Sequence, residues 1–282
     1  MEFNNVTIIG GGTLGSQIGF MSAFHNKNVT IWGRSAQSID RTKARIARWE
    51  TAVQTDLNAT DEQIKNAEKH LQFTTDLKDA LAGADLVIEA LPENVVTKDD
   101  FYAQFKDLAD PNTILVTNTS TFLPSQFAEA TGRPGKFLAY HFANEIWKFN
   151  TAEIMPQSKT NPALPAELQR YSKEIGMIPI MINQEQPGYI LNSLLVPFLN
   201  NALILWSKGI ASPEDIDNTW TIGTGAPSGP FRIMDTVGMK TIYEIAHNSS
   251  DPDLQAAAEK VKAMIDAGKI GRESGEGFYK YN

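Results

Sequence analysis

A chain of 282 residues, 42% hydrophobic and 21% charged, is long enough to bury the cores of two globular domains. Its formal net charge of −8 argues against nucleic acid or an anionic membrane as the main partner and leaves a small-molecule substrate, with room for a local basic pocket. With no cysteine, a disulfide framework, a thiolate metal site and a cysteine nucleophile are excluded, and no metal site is expected.

The first predicted element is a strand, Val6-Thr7-Ile8-Ile9, β-branched throughout, and the last is reached only after many α/β alternations. The first basic residue is Lys27, so no signal segment is expected and the location expected is cytoplasmic. The strand runs into Gly10-Gly11-Gly12-Thr13-Leu14-Gly15, after which Leu14, Ile18 and Met21 recur at helical spacing. Three close glycines alone read as a turn, but glycines between a strand and a helix read as a dinucleotide site. Gly10 allows the sharp turn, Gly12 lets the backbone approach a pyrophosphate, and Gly15 lets helix and strand pack closely. Thr13 and Leu14 belong to the same contacting turn, and the helix N-terminus faces the phosphates.

The second strand ends at Trp32-Gly33-Arg34-Ser35. A carboxylate at this point, about 20 residues past the glycine turn, would bond the adenosine ribose of NAD. Gly33 stands there instead, which removes a group that would repel a 2′-phosphate, and Arg34 offers a forked donor. Gly33, Arg34 and Ser35 are therefore expected to favour NADP, with NAD as the alternative if Arg34 is only solvated.

Residues 35–70 carry no convincing strand and read as paired helices, Ser35–Gln54 and a second opened by the capping box Thr60-Asp61-Glu62-Gln63. Further strands are predicted at Asp85–Glu89, Thr113–Val116, Phe137–Tyr140 and Met177–Ile182, with helical patterns between most of them. After Asn183 the strands stop, and Gln184-Glu185-Gln186-Pro187-Gly188 is polar and breaker-rich. A dinucleotide-binding domain is placed at 1–184 and a helical substrate and dimerisation domain at 185–282. Tyr189–Trp206 is largely apolar, but Asn192, Ser193, Asn200 and Asn201 interrupt it and Pro197 would kink it, so a buried helix is expected instead of a membrane span. Ser212-Pro213-Glu214-Asp215 opens another helix. The fold class expected is α/β, a Rossmann-type doubly wound sheet followed by a mostly helical second domain, with the active site in the cleft between them.

Four histidines are available, and His25, His70 and His247 fall near predicted helix ends, an ordinary place for imidazole. His141 instead ends a strand at the carboxyl edge where ligands bind, which makes it the general acid/base candidate. Glu153 lies within Thr151–Met155, a short extended stretch able to return antiparallel beside it and brace the imidazole.

At this point the sequence resembles the L-3-hydroxyacyl-CoA dehydrogenase family over nearly its whole length. The residues that carry the resemblance are Val87-Ile88-Glu89-Ala90, Glu93 with Lys98, Asn118-Thr119-Ser120, His141-Phe142, Glu153, Pro187-Gly188-Tyr189-Ile190-Leu191-Asn192, Pro227-Ser228-Gly229-Pro230-Phe231 and Gly275-Glu276-Gly277-Phe278-Tyr279. The resemblance implies His141 as general base in oxidation, Glu153 orienting it, and Ser120 and Asn192 hydrogen-bonding the reacting oxygen. It places Glu93, Lys98, Ser120 and Asn144 near the nicotinamide half of the cofactor, with Asn118 also a cofactor contact. It implies a 3-hydroxyacyl-CoA thioester as substrate, a role in fatty acid metabolism, and a homodimer through the second domain. The apolar helix after Asn192 points to the same dimer, since it presents more apolar surface than one small domain is expected to bury alone.

Two departures from the family pattern stand out. Its usual His-Phe-Phe-Asn-Pro is replaced by His141-Phe142-Ala143-Asn144-Glu145-Ile146-Trp147, so Glu145 and Trp147 are expected to alter which acyl portion is accepted, unless both point to solvent or pack on the second domain. The helical excursion, which in this family contributes basic contacts to the CoA nucleotide, carries Arg41, Lys43, Arg45 and Arg48 followed by acidic Glu50 and Asp56. Those charges also read as a solvated face. A free hydroxy acid or other small ketone is thus the alternative substrate, and a nucleotide-binding protein without turnover is disfavoured by the presence of all four catalytic candidates.

Overall fold

The computed structural model describes residues 2–281, which divide into two compact units at Ile190/Leu191. In the first unit β1 (Asn5–Ile9) leads through α1 (Thr13–Phe24) to β2 (Asn28–Trp32), α2 (Ala36–Leu57), α3 (Asp61–Lys69) and β3 (Leu71–Thr74). There follow α4 (Leu77–Leu81), β4 (Leu86–Glu89), α5 (Val95–Leu108), β5 (Ile114–Thr117), β6 (Phe137–Phe142), β7 (Thr151–Met155), α6 (Leu164–Glu174) and β8 (Ile178–Met181). The strands form one sheet in the order β3-β2-β1-β4-β5-β6-β7-β8. Its first six strands are mutually parallel in the 3-2-1-4-5-6 arrangement of dinucleotide-binding sheets. Only the β6–β7 pair is antiparallel. The expected Rossmann-type fold is therefore the observed one.

The central strands read as unbroken apolar runs because both faces are covered. Ile8, Ile88, Val116 and Leu138 point into the core shared with α1 and α6. Ile9, Val87, Leu115 and Phe137 point to the opposite layer with Phe101, Tyr102 and Phe105 of α5. The expected strand list lacks β3, which lies at the sheet edge and mixes Leu71 and Phe73 with Gln72 and Thr74, none of them fully buried. The paired helices are present. Ser35 caps α2 and Thr60 caps α3, each reciprocally with the residue three positions on, and α2 runs on to Asn58, which ends it in the left-handed region.

The second unit is helical, as expected. α7 (Tyr189–Ser207) begins just before the boundary and is followed by α8 (Pro213–Thr224), α9 (Pro230–Val237), α10 (Met239–His247) and α11 (Pro252–Asp266). Leu199, Leu203, Phe231, Met234, Ile242, Leu254 and Val261 form its core. Ser212 caps α8 by accepting from the Asp215 backbone N–H. Two buried carboxylates fasten the chain end. Asp235 accepts from the Phe278 and Tyr279 backbone N–H groups and the Tyr281 hydroxyl, and Asp217 from the Phe231 N–H and the Tyr279 hydroxyl.

The expectation of a buried helix at Tyr189–Trp206 is corrected. α7 is long and apolar enough to cross a membrane, yet only 17% of its most apolar window is buried. One side, through Leu199, Ala202 and Leu203, meets the core of the unit, while Leu194 is 70% exposed. Apolar residues encircle this helix, and a single packed side cannot cover them all.

Candidate active site

The glycine turn fits a dinucleotide. Gly10 has φ +104°, in the region L-residues avoid, and a Cβ on Gly15 would sit 1.9 Å from the Gly10 carbonyl oxygen. Gly12 begins α1 with no side-chain cap and no acidic residue in the first turn, and a Cβ built on it would meet nothing within 4 Å. An uncapped helix N-terminus opening on free space suits a pyrophosphate. The turn is also held from behind, where the Gly11 carbonyl accepts from the Thr42 hydroxyl at 3.0 Å and the Arg45 guanidinium at 3.2 Å.

At the end of β2 the first turn of α2 presses on Gly33. A Cβ there would lie 2.6 Å from Ser38 Oγ and 2.8 Å from Ile39 Cδ1, so a carboxylate-bearing residue would fit only if those side chains shifted. The Ser35 hydroxyl is occupied as the cap of α2, accepting from the Ser38 N–H, whereas Arg34 is exposed. Thr13 and Leu14 form the first positions of α1 beyond Gly12.

The antiparallel pairing of β6 and β7 sets His141 directly opposite Glu153. His141 Nδ1 lies 2.9 Å from Glu153 Oε2, and both side chains are buried. The other carboxylate oxygen, Oε1, accepts from the Ile190 backbone N–H at 2.9 Å. A carboxylate only accepts here, so Nδ1 carries the proton and the Nε2 lone pair faces the Ser120 hydroxyl at 3.1 Å. Ser120, His141 and Glu153 are thus brought into one hydrogen-bonded line at the carboxyl end of the sheet.

One residue of this site is given no role by the sequence reasoning. Tyr189 stacks on the His141 ring with centroids 4.3 Å apart and planes 17° from parallel. Burial, then the charges of Glu93, Glu153 and Glu89, push its phenol well above the usual tyrosine range, so it stays neutral. Its signal was its place in the Pro187–Asn192 motif, which carries no hint of a stacking partner 48 positions away.

The other candidates divide. Glu93 accepts from the Thr119 hydroxyl at 2.8 Å and from the Ser120 backbone N–H, which places it behind Ser120. Lys98 is held between two carboxylates. It is fully buried, with its ammonium 2.8 and 3.0 Å from the two oxygens of Glu89 and 3.6 Å from Glu93. The reason is that α5 turns this position inward, where Glu89 neutralises it. The Asn118 amide oxygen accepts from the Phe142 N–H at 3.1 Å, tying the end of β5 to β6, and Asn144 is exposed in the loop after β6. Asn192 is the fourth residue of α7, half-buried, in the second unit.

Of the expectations for the loop after His141, the alternative in which Trp147 points to solvent is corrected. Glu145 adopts φ +57°, which proline cannot reach, so the loop follows another path than His-Phe-Phe-Asn-Pro would. Gln17 of α1 accepts from the Glu145 N–H at 2.8 Å. Trp147 is buried within the first unit. Its ring lies 5.6 Å from Trp49 of α2 and its indole N–H donates to Asp56 at 2.8 Å. Solvent does not receive it.

Comparison with known proteins agrees with this geometry. Residues 5–186 match the 3-hydroxyacyl-CoA dehydrogenase NAD binding domain and residues 188–281 the C-terminal domain of the same family. The chain belongs to the 3-hydroxyacyl-CoA dehydrogenase family. It is an oxidoreductase of that family, 31% identical over 288 residues to the human mitochondrial hydroxyacyl-coenzyme A dehydrogenase, a match spanning 98% of this chain and 91% of the relative. Among solved structures, a diketoreductase described as acting on dicarbonyl compounds superimposes with a TM-score of 0.95 at 44% identity, covering 100% of both chains. The (S)-3-hydroxybutyryl-CoA dehydrogenase of Ralstonia eutropha superimposes with a TM-score of 0.84 at 28% identity, also over the full length of both. In this 3-hydroxyacyl-CoA dehydrogenase family member the His141–Glu153 pair is therefore carried on a fold shared with enzymes of both descriptions.

Proposed function

We propose that this protein transfers a hydride between a nicotinamide cofactor and a compact 3-keto or 3-hydroxy carbonyl compound, with NADP favoured over NAD. The observation that carries the reaction type is the Ser120–His141–Glu153 line at 3.1 and 2.9 Å. The cofactor, when bound, supplies or accepts the hydride. The turn Gly10–Gly15 would hold its pyrophosphate, and exposed Arg34 beside crowded Gly33 would meet a 2′-phosphate.

The chain's own residues manage the proton. In reduction, protonated His141 gives the Nε2 proton to the substrate oxygen as it gains negative charge, and Nδ1–H stays on Glu153. In oxidation the same lone pair removes the hydroxyl proton. The Ser120 hydroxyl is a neutral donor aimed at that oxygen, and the resemblance assigns the Asn192 amide the same task. Preorganised neutral donors stabilise a developing alkoxide without the desolvation cost of a buried cation.

The substrate reading rests on the similarity to a diketoreductase, which supports a small dicarbonyl. On α2 the stripe toward the His141 loop presents Trp49 and acidic Asp56, both taken up by Trp147. Of the basic residues of α2, Arg45 donates to the glycine turn and Lys43 lies 5.2 Å over the Phe73 ring, while Arg41 and Arg48 are exposed. A CoA thioester is the second reading, favoured by the hydroxyacyl-CoA dehydrogenase relatives.

A panel pairing NADPH and NADH with a free 3-keto acid, a small dicarbonyl ester and acetoacetyl-CoA tests both parts. Higher kcat/KM is expected for the compounds without CoA, and about tenfold or more for NADPH over NADH, the scale of one charge-assisted hydrogen bond. No cofactor oxidation with any carbonyl would refute the function, and a clear NADH preference would refute the assignment of Arg34.

We also propose a homodimer through the second unit. Leu194 and Ile222 are 70% and 82% exposed, and Phe198 and Trp220 pair nearby with ring centroids 4.4 Å apart. Such apolar exposure marks an association surface. Light scattering at micromolar concentration is expected to give the mass of two chains, and a monomer would overturn the assignment.

A further inference from the structure

The proton path leaves one buried ionic cluster unused. Glu89, at the end of β4, and Lys98, on α5, are both fully buried. Four groups donate to the Glu89 carboxylate. Lys98 does so at 2.8 and 3.0 Å, the Tyr102 hydroxyl at 2.8 Å, the Thr117 hydroxyl at 2.6 Å and the Leu91 backbone N–H at 2.7 Å. Burial and the neighbouring Glu89 charge push the Tyr102 phenol well above the ordinary tyrosine range, so it remains a donor. Desolvating two ions is costly, and an uncharged pair of similar volume would fill such a layer at least as stably. Stability alone gives no reason for the charges.

The hydrogen bonds continue from this cluster toward the histidine. Lys98 Nζ lies 3.6 Å from Glu93 Oε2, across from its Glu89 contacts. Glu93 in turn receives the Thr119 hydroxyl and the Ser120 backbone N–H, and Ser120 Oγ lies 3.1 Å from His141 Nε2. The Glu93 side chain is 35% exposed, so water competes for its carboxylate unless a fixed cation holds it on the inner side.

We propose that Glu89 and Lys98 are positioning residues for Ser120. Glu89, with Tyr102 and Thr117, clamps the Lys98 ammonium; the ammonium orients Glu93; and Glu93 fixes the Ser120 backbone so that its hydroxyl meets Nε2. Glu153 sets the imidazole from one side, and this chain sets its hydroxyl partner from the other. The proposal rests on the reading in which Ser120 and His141 act on the substrate oxygen.

The double variant Glu89→Gln/Lys98→Met removes both charges together while keeping volume. Lys98→Met alone leaves two carboxylates without their cation and is expected to lower Tm, and adding Glu89→Gln is expected to restore much of that loss. In the double variant kcat is expected to fall about 10–100-fold, the effect of a catalytic group displaced by about 1 Å. KM is expected to stay within about threefold, since the interaction lost is one made in the transition state. The ¹⁵N resonance of His141 Nε2 is expected to move to the position found in Ser120→Ala. A folded double variant with wild-type kcat and a wild-type Nε2 resonance would make the cluster merely structural and overturn the proposal. If the double variant does not fold, Tyr102→Phe carries the same resonance test. A shift toward Ser120→Ala supports the chain of contacts, and no shift overturns it. Absence of turnover in the wild-type protein would defeat the proposed function, and the resonance comparison would still decide this proposal.

Discussion

Replacing His141 by alanine is expected to lower kcat by about 10²–10⁴-fold, the range that general acid/base help contributes. The groups that touch the His141 ring are ill-suited to take over the proton. Glu153 faces the far ring nitrogen and Tyr189 is held neutral by burial and by the surrounding carboxylates. Ser120 is a hydroxyl that donates without holding charge. Cofactor affinity is expected to remain near that of the wild type, because the glycine turn sits at the β1–α1 junction and is braced by Thr42 and Arg45 of α2. Steady-state cofactor oxidation gives the first quantity and a fluorescence titration of the cofactor the second. A His141→Ala variant that turns over like the wild type would remove the mechanism.

Glu153→Gln should be nearly as damaging, about 10²-fold or more, since a carboxylate–imidazole pair forced into the wrong tautomer loses up to about 10⁴-fold. The carboxylate accepts two protons' worth of donors at once, His141 Nδ1–H on Oε2 and the Ile190 N–H on Oε1. An amide has one acceptor. If its oxygen serves Ile190, its NH₂ faces Nδ1 and selects the tautomer with the proton on Nε2, where the base must be empty. If its oxygen serves His141, its NH₂ meets the Ile190 N–H. The loss of the low-field His141 Nδ1 proton signal in Glu153→Gln, with turnover reduced and the fold retained by circular dichroism, is the expected result. Wild-type turnover in this variant would show that the imidazole needs no brace.

Much of this site was legible in the chain because its partners are joined by local rules. The strand, the glycines and the first helix are contiguous, so one segment specifies the turn. His141 and Glu153 lie twelve residues apart on two short extended stretches, and antiparallel return is among the few ways to pair them. The caps at Thr60 and Ser212 needed only the next three residues. Lys98, Trp147 and Tyr189 were different. Each finds a partner set by packing: Glu89 across the sheet layer, Trp49 and Asp56 on α2, the His141 ring at the sheet's carboxyl end. The edge strand β3 escaped for a related reason, since its half-burial leaves no apolar run to read.

The order of residues alone determined the alternation of strands and helices, the glycine turn between β1 and α1 and the choice of His141 as the acid/base candidate, because hydrophobic period, glycine placement and capping act over a handful of positions. Only the folded chain decided that Lys98 serves Glu89, that Trp147 closes on Asp56 and that Ser38 and Ile39 crowd Gly33. Those outcomes depend on which surfaces the packed layers press together, and a charge or an indole carries no label for the partner it meets there until the backbone has brought both to the same place.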